Sequence, residues 1–196
     1  MDRQFFFIMI AAIFAVVLVP VSCGEDNGDT SFNVVESVSG TLDVEYAEYN
    51  LMILSLDQGR TRAVTVPISD GKFNLTLPIP DEKYLYNLLD KNAKIVSARF
   101  FIRNSEDDSH DDYSYRRFLK LQGTSNKGKF YVDFIYVDKN VNIINQTYHF
   151  GTQLFNVRLK KGWNAVVVYF QGENDDAPEY TFTSEPVPFG AKWTDD

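Results

Sequence analysis

The chain has 196 residues, 27 acidic and 19 basic side chains and a net charge of −8. An acidic chain without a basic cluster is a poor partner for nucleic acid or for anionic lipid surfaces, which are bound through cationic patches. With a single cysteine no intramolecular disulfide forms, so stability must come from burial, for which 16 Phe, 11 Tyr and 2 Trp supply apolar area.

The N-terminus carries an export pattern. Arg3 precedes an unbroken apolar run over residues 5–19, followed by Pro20-Val21-Ser22-Cys23. The run suits the core of a signal peptide and falls short of the ~20 residues a spanning helix needs. The only thiol of the chain follows directly on the small residue Ser22. This junction resembles the bacterial lipoprotein box, with Pro20 in place of the usual leucine. The resemblance implies removal of residues 1–22 as a lipoprotein signal peptide and lipidation of Cys23. At ~0.8 kcal/mol per buried CH₂, a diacyl or triacyl anchor holds a protein on the outer membrane without help from the domain.

Residues 23–39 read as the lipidated cysteine and a flexible tether. Gly24-Glu25-Asp26-Asn27-Gly28-Asp29 is acidic and small and buries no apolar surface. It resembles the acidic tract behind the lipidated cysteine of surface-exported Bacteroidota lipoproteins, which implies a cell-surface location.

Residues 40–196 read as one β domain of short strands broken by turns. Asp57-Gln58-Gly59-Arg60 separates strands at 51–56 and 63–68, and Ser69-Asp70-Gly71 leads to 72–77. Asn126-Lys127-Gly128 separates 118–122 from 129–137. Asp138-Lys139-Asn140 leads to 141–148, and Lys160-Lys161-Gly162 separates 153–159 from 163–171. Such tips supply the positive φ of tight hairpins, and their spacing favours an antiparallel sandwich. Val64, Val66 and Ile68 share a face, as do Phe73, Leu75 and Leu77, and Phe155, Val157 and Leu159. The strands at 130–137 and 163–170 are apolar on both faces and read as central. Trp163 shares its face with Ala165, Val167 and Tyr169, which marks it as core.

One segment breaks the alternation. Leu85, Leu88 and Leu89 recur at helical spacing behind Asp81 and Glu82, which predicts one short helix over about 82–90. Residues 49–77 and 130–159 also echo each other, each ending on a Phe-Asn-aliphatic strand, which raises two related meander units. The fold class is thus mainly β: an antiparallel Ig-like or transthyretin-like β-sandwich with one short helix.

The segments "ISDGKFNLTLPIPDEKYL" (residues 68–85), "LKKGWNAVVVYF" (159–170) and "FGAKW" (189–193) resemble uncharacterised Bacteroidota outer-membrane lipoproteins with a β-sandwich ectodomain. The resemblance covers roughly residues 40–193. It implies a fold and a location, and no activity.

Candidate chemistry is sparse. Residues 106–112 gather six acidic or imidazole groups, among which Asp107, Asp108 and Asp111 are candidate Ca²⁺ ligands. The run lacks both a turn glycine and a following bidentate Glu, so it reads as a solvated loop, and no metal or cofactor is expected. Glu173-Asn174-Asp175-Asp176 reads the same way. His110 and His149 lie far apart in sequence, and no nucleophile elbow, zinc-protease or phosphate-loop motif occurs. Tyr84, Tyr86, Tyr113, Tyr115, Trp163 and Trp193 are the rings available for stacking on sugars. The expectation is a membrane-anchored, surface-exposed, non-catalytic binding or structural module. Its membrane contact is the lipid alone, and its partner is an unidentified protein or glycan. A carbohydrate-binding accessory protein or a glycan-active enzyme is the alternative.

Overall fold

The structure is a computed structural model that describes residues 33–56, 61–88, 91–105, 117–148, 153–171 and 179–195. The described strands are β1 (Ser37–Thr41), β2 (Leu51–Leu56), β3 (Thr61–Pro67), β4 (Lys72–Thr76), β5 (Tyr86–Leu88), β6 (Ala93–Ser97) and β7 (Arg99–Arg103). They continue with β8 (Arg117–Ser125), β9 (Gly128–Val137), β10 (Val141–Tyr148), β11 (Gln153–Leu159), β12 (Gly162–Gln171), β13 (Glu179–Thr183) and β14 (Lys192–Asp195). The domain is mainly β and sandwich-like. Its helical content among the described residues is two single 3₁₀ turns, Val44–Tyr46 and Glu82–Tyr84.

The main sheet runs β10-β11-β13-β12-β9-β8-β7-β2-β3, with β14 added to β8, β6 to β9 and β5 to β6; β1 pairs with β4 apart from it. Two strands organise this arrangement. β9 and β12 pair antiparallel from Gly162↔Val137 to Phe170↔Lys129. Phe130, Val132, Phe134 and Tyr136 of β9, with Trp163, Ala165, Val167 and Tyr169 of β12, face one core. Val137 of β9 and Val166 and Val168 of β12 face another. Period-two alternation sends every second residue to each side, so a strand apolar throughout must be covered on both.

The larger core closes on Trp193 of β14. Its ring stacks on Phe134 of β9 at 6.1 Å and meets Phe73 of β4 and Phe100 of β7 edge-on at 5.4 and 5.0 Å. Four strands distant in sequence therefore converge on one indole, which is 2% exposed. The C-terminal strand is further held by Asp195, which accepts hydrogen bonds from the Tyr46 hydroxyl at 2.7 Å and from Arg117 at 2.8 Å. The Trp163 ring, buried as expected, donates its Nε1–H to the Pro78 carbonyl at 2.7 Å.

The structure departs from several of these expectations. No helix spans 82–90: one 3₁₀ turn is followed by strand β5, which pairs Tyr86↔Ile95 and Leu88↔Ala93 on the edge of β6. A helix that short is marginal by itself, and an open sheet edge satisfies the same backbone groups. Asp81 makes no capping hydrogen bond, while Lys94 of β6 pairs with Glu82 and draws the turn to the sheet. The two segments that echo each other in sequence are not two copies of a meander. In the first, β2 pairs β3 while β4 leaves to pair β1; in the second, β10 pairs β11 while β9 pairs β12. Residues 33–39, expected to belong to the tether, are part of the domain. Val35 N–H donates to the Trp163 carbonyl and Ala165 N–H to the Asn33 carbonyl, so residues 33–35 extend β12, and β1 begins at Ser37 with Val38 fully buried. The sandwich also holds one parallel pair, β11 with β13.

Gly40 fits against the closing indole because it has no side chain. A Cβ there would lie 2.4 Å from Trp193 Cδ1. Three rings pin the indole, so it has no room to yield. Gly40→Ala is expected to cost about 1–3 kcal/mol as an overpacking change, read as a lowered urea midpoint with an unchanged slope. A midpoint at the wild-type value would show that this contact does not hold the core.

Candidate functional site

The second apolar face carries a concavity. A cavity of about 320 Å³ is lined by Leu88, Ile95, Ile135, Ile143, Gln153, Phe155, Val157, Leu159, Val166 and Phe182. These residues come from seven strands that are consecutive in space: β5, β6, β9, β12, β13, β11 and β10. Laid flat at ~4.8 Å per step, the outer two would stand ~29 Å apart. That Leu88 of β5 and Ile143 of β10 border one cavity of this size means the sheet curls on itself.

Local sequence explains the lining. On β11, Gln153, Phe155, Val157 and Leu159 alternate with Asn156 and Arg158, which are exposed. On β13, Phe182 stands directly across from Phe155, and the rings stack at 4.2 Å and 8°. Ile143 of β10 pairs with Val157. Gln153 supplies the one polar side chain among these lining residues, and small-molecule sites share this make-up, with apolar walls and few polar groups.

Two polar residues interrupt the same outward face of the β9–β12 pair, and they differ. Asn164 is buried and satisfied: its Nδ2 donates to the Lys160 and Gly162 carbonyls at 2.8 and 2.9 Å, and its Oδ1 accepts from Lys160 N–H at 3.0 Å. It fixes the turn into β12. Asp133 is paired in register with the lining residue Val166 and lies two residues from the lining residue Ile135 on the same face. No hydrogen bond or ion pair to Asp133 occurs among the described residues. Burial pushes its carboxyl up to about 6, against the opposing pull of Lys120 and Arg99. Those two cations rest over rings, Lys120 Nζ 5.4 Å from the Phe118 centroid and 5.2 Å from that of Tyr131, and Arg99 6.0 Å from that of Phe118.

The sequence-predicted candidates fall elsewhere. Cys23, Asp107, Asp108, Asp111, His110, His149, Tyr113, Tyr115 and residues 173–176 lie outside the described residues. Among the described residues no group of three or more His, Cys, Asp or Glu side chains is placed to hold a metal. Trp163 and Trp193 are 4% and 2% exposed, which removes both indoles from any sugar-stacking platform. Tyr84 packs against the larger core, and Tyr86 stands half-exposed on β5. Sequence reasoning passed over Asp133, although it is the one charge inside the otherwise apolar stretch 130–137.

Asp133 sets a pH dependence of known sign. Its folded value lies above the ordinary 3.8, so the charged form destabilises the fold. The penalty is full above about pH 6 and fades as pH falls toward 4. Asp133→Asn is therefore expected to raise Tm by several degrees at about pH 7.5, at roughly 2–4 °C per kcal/mol for a domain of this size. The gap to wild type should shrink by more than half at about pH 4.5. Melting curves of the two proteins across this range check it, and a gap that is constant with pH would show that the carboxylate is unstrained.

No family model, curated protein or solved structure matches the chain.

Proposed function

We propose that this chain is a surface-facing outer-membrane lipoprotein, held by lipid on Cys23, whose β-sandwich is a non-catalytic binding module for a small apolar ligand. The observation that carries the binding part is the cavity on the outward face of β9 and β12. It has walls from seven strands, nearly all apolar, and a volume of about 320 Å³, at the lower end of the roughly 300–1,000 Å³ of ligand sites. A sheet whose outer face met only water would alternate apolar inside with polar outside. Here Ile135, Val166, Val157 and Phe182 make the outer face apolar as well; the sheet's own strands cover it, and the cavity is the space they leave between them. The location part is supported by the apolar run at residues 5–19 and the single thiol at Cys23. Nucleic acid is not a partner in this reading, because the net charge is −8.

Two experiments test the two parts. Cys23→Ser is expected to release the protein from membranes or to leave an unprocessed precursor; a variant that fractionates with the outer membrane at mature size contradicts the anchor. For the cavity, Nile red is expected to bind the purified ectodomain with a blue shift. Ile135→Phe, which grows into the cavity from its floor, should weaken that binding at least about tenfold, or 1.4 kcal/mol, while the protein keeps its cooperative melt. Absence of binding to wild type, or equal binding to both proteins, contradicts the cavity reading.

A further inference from the structure

Resting on that reading, we infer that the ligand is an amphiphile whose apolar body fills the cavity and whose cationic head is received by Asp133. The placement comes from register. Asp133 is the cross-strand partner of Val166, and neighbours on paired strands hold their Cβ atoms ~4.5–5.5 Å apart. It follows Ile135 on one face at a two-residue step, ~7 Å along β9. Both neighbours line the cavity. Asp133 is not itself one of the lining residues, but it stands directly beside two of them.

Its surroundings leave it short of donors. On the β12 side it faces Val166, which is 1% exposed. On the other side the charged groups that face it are Lys120 of β8 and Arg99 of β7, and neither stands within ion-pair distance. Each also lies over an aromatic ring. The loss of water around the carboxyl outweighs the attraction of both cations, as its raised pKa records. Asp133 is part-buried, and a carboxylate that has lost part of its solvent and gained no donor is costly to keep. Asn164, on the same face one residue pair away, shows the contrast: every one of its polar atoms is used inside the protein. A donor arriving on the ligand supplies what Asp133 lacks. A carboxylate head would meet like charge there and be rejected.

Three probes with one apolar body and different heads test this: decylamine, decanol and decanoate, each titrated by displacement of Nile red from the ectodomain at neutral pH. Wild type is expected to bind decylamine about 10–100-fold more tightly than decanoate, the range of a charge-assisted hydrogen bond. Asp133→Asn should bring those two within about threefold of each other and leave decanol unchanged. Should the variant fold poorly, the wild type alone decides. On lowering the pH from about 7.5 to about 5, decylamine should lose affinity as the Asp133 carboxyl protonates, while the amine stays charged and decanol binding stays flat. If the three probes bind wild type alike, or if their order survives both Asp133→Asn and the pH change, the assignment of Asp133 is overturned and the cavity reading stands. If none of the three displaces the dye, both are overturned.

Discussion

The pairing of β9 with β12 is the constraint on which this domain depends. Nine consecutive residue pairs, from Gly162↔Val137 to Phe170↔Lys129, lie at the centre of the sheet, and both strands are apolar on both sides. Hydrophobic burial at roughly 25 cal/mol per Å² makes it unfavourable to leave either side to water. One side is covered by the remote strands β1, β2, β4, β7 and β14, whose residues meet around Trp193. The other side has no second sheet among the described residues. It is covered by the sheet's own continuation, β13-β11-β10 from one edge and β6-β5 from the other.

That difference between the two covers links architecture to function. An opposing sheet interdigitates its side chains and leaves little space. A sheet that curls over itself carries its side chains on a concave surface, where they cannot fill the centre. The space of about 320 Å³ is the geometric consequence, with Phe155 and Phe182 stacked on one wall and Ile95 and Leu88 on the other. The N-terminal residues 33–35 meet β12 at its start, beyond the end of β13, and Asn33 is held there by the Ser184 and Glu185 carbonyls.

Much of this was legible in the sequence, and the remainder was hidden for physical reasons. Alternation identified the strands at 51–56, 130–137, 141–148, 153–159 and 163–171 and the buried status of Trp163, because alternation depends on each strand and its own environment. It does not tell which strands pair. Lys160-Lys161-Gly162 reads as a hairpin tip, and Gly162 does take positive φ, yet β13 lies between the two flanking strands. Asp70 and Gly71 likewise form the expected turn, after which β4 joins β1 instead of returning on β3. Leu85, Leu88 and Leu89 fit a helix by spacing, but Leu85 packs on the larger core and Leu88 on the smaller, a division an edge strand allows. The cavity was out of reach for a related reason. A two-faced apolar strand reads the same whether its second cover is another sheet or the sheet's own curl. Asp133, a lone charge within an apolar strand, was the one visible mark of the site.

In the proposed reading an apolar guest enters the space on the outward face of β9 and β12 and not the closely packed inward face. Methyl-resolved NMR of the protein under xenon tests this directly, since xenon enters dry apolar cavities and leaves close-packed cores alone. The account predicts progressive shifts for the methyl groups of Ile95, Ile135, Ile143, Val157 and Val166, with Met52, Val132 and Val167 of the larger core unchanged. Unchanged signals from the first set, or equal shifts in both, would contradict it.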